Sequence, residues 1–161
     1  LKQLQADLDK ALPNRFVRIV NLDRARMRAL VEVSSPTLPP AWWVMDRSSG
    51  RMIRIATSNE ALKGAVLAPM KAVSYKARDG LEIPAFLTLP VGRAPKGLPL
   101  IVLPHGGPWY RDRLQYDYWV QLLANRGYAV LQPNFRGSTG YGAAFRDKGD
   151  GEWGKAMQDD V

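Results

Sequence analysis

Leu98-Pro99-Leu100-Ile101-Val102-Leu103-Pro104-His105-Gly106-Gly107-Pro108 decides how this chain is read. Its aliphatic run, Leu100 to Leu103, has the length and character of a strand buried on both faces of a sheet. Two glycines then turn the chain. Beyond them Tyr116, Trp119, Val120 and Leu123 fall at i, i+3, i+4 and i+7, one apolar stripe of a helix, and Gly127 stands where a left-handed residue would end it. Tyr128 to Leu131 reads as a second buried strand. Strand, glycine turn, helix, strand is a βαβ unit, which predicts an α/β fold with two parallel strands joined by a right-handed crossover.

Upstream of that unit, Val73–Ala77 and Leu81–Leu89 flank Asp79-Gly80. An Asp-Gly pair between apolar-rich runs predicts an antiparallel hairpin through a type I′ turn. Val91 to Pro99, rich in Gly, Pro and Lys, reads as a loop. Residues 59–70 have weak periodicity and suit a linker or short helix, which puts a boundary between segments 1–69 and 70–161. Within the first segment four short strand-like runs follow at even spacing: Phe16–Leu22, Ala29–Ser34, Ala41–Asp46 and Met52–Ala56. Asn, Asp, Ser, Pro and Gly punctuate them, as reversals require. Four antiparallel strands in a row make one blade of a β-propeller, or equally a small meander. Adjacent Trp42 and Trp43 point to opposite faces of such a strand, one to the core and one to an inter-blade contact rather than to a stacked ligand. Downstream, a short helical segment follows Gly142 to Lys148, and Lys155 to Val161 begins another helix.

Composition narrows the chemistry. The chain has 161 residues, 46% of them hydrophobic, which is a globular rather than a disordered composition. No apolar stretch approaches the roughly 20 residues of a membrane helix, so no membrane partner is expected. It opens Leu1-Lys2-Gln3, without Met or a signal-peptide core, and reads as starting at a processing boundary. Cysteine is absent and there is one histidine, which removes thiolate nucleophiles and Cys- or His-rich metal sites; no metal or cofactor is expected. The net charge of +8 invites a nucleic-acid reading. Arg15, Arg18, Arg24, Lys63, Lys71, Arg93 and Lys96 are scattered singly, however, and no basic-aromatic binding element is present, so none is expected.

The chemistry-bearing stretches are two glycine clusters, each just after a strand. His105-Gly106-Gly107-Pro108 stands at the carboxyl end of a parallel strand, where open α/β sheets bind ligands. Glycines there let backbone N–H groups approach a developing negative charge. Gly106 and Gly107 are therefore candidates for an oxyanion hole, the alternative being a plain strand-to-helix turn. His105, with no visible Ser or Asp partner, reads as a hydrogen-bonded structural histidine rather than a general base. The second cluster is Arg136-Gly137-Ser138-Thr139-Gly140-Tyr141-Gly142. It is not a G-x-S-x-G nucleophile elbow, because Arg136 occupies the first glycine position. Nor is it a phosphate loop, because the G-x-x-x-x-G-K-[ST] lysine is missing. Pro108, Arg136, Gly137, Ser138 and Tyr141 are expected to shape a cleft, with Ser138 not a nucleophile. Asp159 and Asp160, adjacent on a nascent helix, make a poor acid/base pair, and one of them is expected to anchor the Arg136 guanidinium.

Taken together, Ser74 to Gly80 with the strand running to Pro90, the Leu103 to Pro108 turn, and Arg126-Gly127-Tyr128-Ala129-Val130 leading to Asn134-Phe135-Arg136-Gly137-Ser138 resemble the prolyl oligopeptidase family. The likeness is to its acylaminoacyl-peptidase and dipeptidyl-peptidase-like branch. That resemblance implies a β-propeller blade followed by the N-terminal part of an α/β-hydrolase sheet. It implies a parent serine peptidase acting on short peptides, with a serine, an aspartate and a histidine expected after Val161 and no catalytic residue in the chain. His105 matches the first position of the oxyanion turn, where other branches carry a tyrosine. This leaves open whether a side chain or the N–H of Gly106 or Gly107 completes the hole. An esterase on the same fold and a non-catalytic binding or assembly module are the alternatives. An unfinished sheet edge also predicts self-association.

Overall fold

The computed structural model describes residues 1–161 and resolves them into two compact units. One comprises Leu1–Leu67 with Gln115–Asp117, the other Ala68–Leu114 with Tyr118–Val161.

The first unit opens with helix α1 (Lys2–Ala11), which the sequence reading did not anticipate. Leu4, Leu8 and Leu12 recur every fourth residue, the one signal that marks it. Four antiparallel strands follow in the order β1 (Phe16–Leu22), β2 (Arg28–Ser35), β3 (Leu38–Asp46) and β4 (Met52–Thr57). Alternation on β2 turns Ala29, Val31 and Val33 inward to join Leu8 and Val17 in the core. Trp43 packs against that core. A 3₁₀ turn at Glu60–Leu62, with Asn59 Oδ1 accepting from the Ala61 amide, occupies the expected linker.

The second unit holds a mixed sheet in the order β5 (Met70–Lys76), β6 (Glu82–Thr88), β8 (Ala129–Pro133), β7 (Leu100–Val102). β6 pairs antiparallel with both β5 and β8, and β7 runs parallel to β8. The hairpin expected between β5 and β6 is present, but its turn is not type I′. Only Gly80 of the loop has a positive φ, +84°, and the Gly80 N–H donates to the Ala77 carbonyl. Asp79 keeps an ordinary φ, so the connection is a three-residue loop with glycine in the left-handed position.

Two further expectations are corrected. β7 is not buried on both faces: it lies at the sheet's edge, and Leu100 is 56% exposed. The strand covered on both faces is central β8, where Ala129, Val130, Gln132 and Pro133 are all buried. Helix α2 (Tyr118–Asn125) starts after Tyr116, and it buries Val120, Gln121 and Ala124 while Trp119 is half exposed. The stripe is rotated because Gln121, although polar, is needed inside. Its amide accepts from the Ala68 N–H at 2.9 Å and donates to the Ala68 carbonyl at 2.8 Å. Gly127, at φ +95°, ends α2: its N–H reaches the Ala124 carbonyl while the Tyr128 N–H reaches that of Leu123, a Schellman closure. Short helices α3 (Ala143–Asp147) and α4 (Ala156–Asp159) complete the unit. No helix is long and apolar enough to cross a membrane.

Candidate functional site

Parallel pairing of β7 with β8 places their carboxyl ends side by side, and the Leu103 N–H extends the ladder to the Leu131 carbonyl. The segments leaving these two tips, 104–112 and 134–142, are thereby neighbours. They are stitched together by hydrogen bonds. The Thr139 N–H donates to the Tyr110 carbonyl at 2.9 Å. Fully buried Asn134 accepts from the Asp112 N–H at 2.8 Å through Oδ1, and its Nδ2 donates to the Tyr141 hydroxyl at 2.8 Å.

His105 supplies the third stitch. Its Nε2 lies 2.8 Å from the Ser138 hydroxyl and its Nδ1 lies 2.8 Å from the Gly106 carbonyl. The ring stacks on Phe135, centroids 4.5 Å apart and planes 19° from parallel, and meets Tyr110 edge-on. Burial pushes the imidazole pKa below its ordinary value, against a smaller opposing effect of the Gly106 carbonyl. Ser138 is the partner that sequence spacing could not show, since it lies on the other strand's loop.

Gly106 and Gly107 are exposed, and their N–H groups enter no hydrogen bond within the chain. Gly107 has a φ of +143°, and a Cβ there would sit 2.9 Å from the Trp109 nitrogen, so only glycine fits. The Gly107–Pro108 peptide is cis. Pro104, His105, Gly107, Pro108, Phe135 and Trp153 border a concavity of about 360 Å³ that Met157 and Val161 extend. Trp153, 65% exposed, escaped the sequence reading. A lone tryptophan in a Gly- and Glu-flanked loop carries no periodic signal.

The loop after β8 is fixed from below by an ion cluster. Arg136 forms a fork on Asp160, Nε to Oδ2 at 2.8 Å and Nη2 to Oδ1 at 2.7 Å, and its backbone N–H also reaches Oδ2 at 2.9 Å. Nη2 further meets Asp79 at 2.8 Å, and the Tyr75 hydroxyl donates to the Asp160 carbonyl. The Asp160 bond raises the guanidinium pKa further. The Leu81 amide, and then Arg136, holds the Asp79 carboxyl below its usual range. The expected carboxylate anchor for Arg136 is thus Asp160, whereas Asp159 pairs with exposed Arg78 at 3.1 Å. In the sequence Asp79 reads as turn chemistry, and its bond to Arg136 adds a second role. No group of three His, Asp or Glu side chains is placed to hold a metal ion.

Comparison with known proteins shows the family of the chain. Residues 114–161, which include Arg136, Ser138 and Asp160, match the Prolyl oligopeptidase family. The chain is 41% identical over 139 residues to dipeptidyl aminopeptidase BIII of Pseudoxanthomonas mexicana, covering 82% of this chain and 20% of that protein. The chain belongs to the prolyl oligopeptidase family. A second member, dipeptidyl peptidase family member 6 of Caenorhabditis elegans, is 32% identical across 92% of this chain and 23% of its own length. Among solved structures, the acylaminoacyl peptidase of Pyrococcus horikoshii superposes with a TM-score of 0.68 over 92% of this chain and 23% of that one, at 24% identity. That likeness shows the fold. The chain spans about a fifth of the length of the curated relatives it matches.

Proposed function

We propose that the chain forms the oxyanion-turn region of a serine peptidase that hydrolyses short peptides by acyl transfer. In this reading residues 70–161 are the N-terminal part of an α/β-hydrolase domain, and residues 1–69 are one blade at the end of a β-propeller with its linker. The reading rests on one observation above all: an exposed turn at the tip of a parallel strand, restricted to glycine at position 107, with two backbone amides that no group in the chain occupies. Amides so placed stabilise the tetrahedral oxyanion that forms when a nucleophile attacks a peptide carbonyl. The peptidase names of the relatives support the substrate class.

The nucleophile, in this reading, comes from outside residues 1–161. Ser138 and His105 approach at 2.8 Å, a nucleophile–base distance, but the Ser138 side chain is fully buried and cannot meet a substrate. Nor does a carboxylate back the ring, since Nδ1 faces the Gly106 carbonyl. His105 and Ser138 therefore belong to the scaffold. Pro108 borders the cleft, Arg136, Gly137 and Tyr141 shape it indirectly by holding the loop after β8, and in the isolated 161-residue chain the open ladder edge of β7 is the surface through which two copies would associate.

The test is covalent labelling by a fluorophosphonate together with hydrolysis of dipeptidyl and acyl-aminoacyl anilides and esters. The full-length protein labels on one serine and cleaves the anilides, and Gly107→Ala lowers kcat about 100-fold. The 161-residue chain does not label. Labelling of Ser138 overturns the assignment, ester cleavage without anilide cleavage makes the protein an esterase, and neither activity makes it a binding module.

A further inference from the structure

A concavity of about 700 Å³ lies in the first unit, between the start of α1 and the end of β1. Ligand sites commonly enclose roughly 300–1,000 Å³ and are lined mainly by apolar groups with a few polar ones. Here Ile19, Val20 and Leu22 supply the apolar lining. Ile19 and Leu22 pack on the core, and Val20 is 41% exposed. Val20 is the extra residue of a β-bulge: the pairing with β2 passes from Ile19–Val31 straight to Asn21–Leu30 and leaves Val20 without a cross-strand partner. β1 is also an edge strand, with β2 on one side only.

The rim of the groove is cationic. Lys2, Arg24 and Arg26 stand on it, all exposed, and none is paired with a carboxylate. Asp23, the one acidic residue in the lining, is occupied within the turn that follows β1: its Oδ1 accepts from the Met27 N–H at 2.8 Å and the Arg28 N–H at 3.0 Å. Arg47 braces the same turn from the next one. Its guanidinium donates to the Arg26 carbonyl, and its backbone N–H donates to the Met27 carbonyl at 2.9 Å. Held in this way, Arg26 keeps a φ of +57°, a left-handed backbone otherwise left to Gly or Asn. The turn therefore presents its cations from a fixed backbone. A ligand matched to these groups combines aliphatic side chains with carboxylates, and an open strand edge favours one that is extended. Nucleic acid is a poorer match, because no aromatic ring lines the groove for bases to stack on.

We propose that this groove binds an acidic peptide segment, which lies along the open edge of β1 with aliphatic side chains on Ile19, Val20 and Leu22 and carboxylates at Lys2, Arg24 and Arg26. Side chains of an extended chain alternate in direction, so a sequence alternating aliphatic and acidic residues serves lining and rim together. The inference uses the first unit alone and does not depend on the peptidase reading.

The probe is an octapeptide of alternating Glu and Val carrying a neutral fluorophore. It is titrated by anisotropy into the full-length protein, treated beforehand with a fluorophosphonate so that a peptidase would not cleave it. Saturable binding is expected, weakening as salt rises from about 50 to about 500 mM. Lys2→Glu combined with Arg24→Glu should weaken it roughly 10-fold or more. Lys63→Glu combined with Lys96→Glu makes the same change of net charge away from the groove and should leave affinity within about twofold. Val20→Thr, which keeps shape and charge but places a hydroxyl in the apolar lining, should weaken binding roughly 3-fold. No binding by the full-length protein overturns the proposal. Equal binding of the Gln-Val octapeptide, or equal losses in the two double variants, overturns it as well, and tighter binding of an oligothymidylate of the same charge overturns it in favour of nucleic acid. A protein that the fluorophosphonate does not label, yet which binds the probe through these residues, sinks the peptidase reading and leaves the groove standing.

Discussion

Two glycine-rich loops leave adjacent strand tips in this chain, and they have opposite fates. The loop after β7 is open: Gly106, Gly107, Trp109 and Tyr110 are exposed. The loop after β8 is closed: Asn134 and Ser138 are fully buried and Phe135 and Arg136 nearly so, each polar group among them bonded to a named partner. The difference teaches that a glycine cluster after a strand has no single meaning. Where its amides are satisfied and its side chains buried it is a support, and where its amides are left open it is a surface for chemistry. In this chain the first kind holds the second kind in place.

The largest effect should come from removing the support's anchor. Asp160→Ala leaves the Arg136 guanidinium, only 10% exposed, with the half-exposed Asp79 as its one carboxylate. Breaking a buried pair from one side costs about 3–5 kcal/mol. The neighbouring pair is the control: Arg78→Ala removes the solvent-exposed bridge to Asp159 and should cost less than about 1 kcal/mol. Urea unfolding midpoints measure both, and equal shifts would break the contrast between the two consecutive aspartates. Next in size is Asn134→Ala, which deprives the Asp112 amide and the Tyr141 hydroxyl of their partners. A loss of about 1–3 kcal/mol is expected, with amide exchange quickening at Asp112 if the two loops separate as described.

The smallest expected effect is one of pH. The His105 pKa is lowered in the folded state from an ordinary value of 6.5, so below that pH the unfolded chain binds more protons than the folded one. Stability from the neutral ring is therefore complete above 6.5 and is lost as pH falls toward the lowered value. The carboxyls of Asp46, lowered to about 2, and of Asp79 act below 3.8 and leave this window clear. Urea midpoints compared between about pH 7.5 and about pH 5 should slope downward in the wild type and flatten in His105→Asn.

Much of this architecture is legible in the residues. Alternation marks β2, the Leu100 to Leu103 run marks β7, and Gly127 marks the end of α2, because each of those signals is local. The contents of the site are less legible, because they are pairings across sequence. Nothing near His105 announces Ser138, 33 residues away, and nothing near Asp79 announces Arg136, 57 residues away. Trp119 shows the limit of periodicity: it sits on the predicted stripe yet is exposed, while polar Gln121 is inside holding Ala68.

Gly149 and Gly137 cross so closely that a Cβ on Gly149 would lie 2.7 Å from the Gly137 Cα. Most steric faults in a protein can be mended by a second substitution that shrinks the neighbour. Here the neighbour is already glycine, so no compensating replacement exists. A methyl group at position 149 can be accommodated only by moving apart the two backbone segments, one of which carries Arg136 and Ser138. Position 149 is thus a point of the molecule at which genetic suppression should fail, and a selection for revertants would return glycine alone.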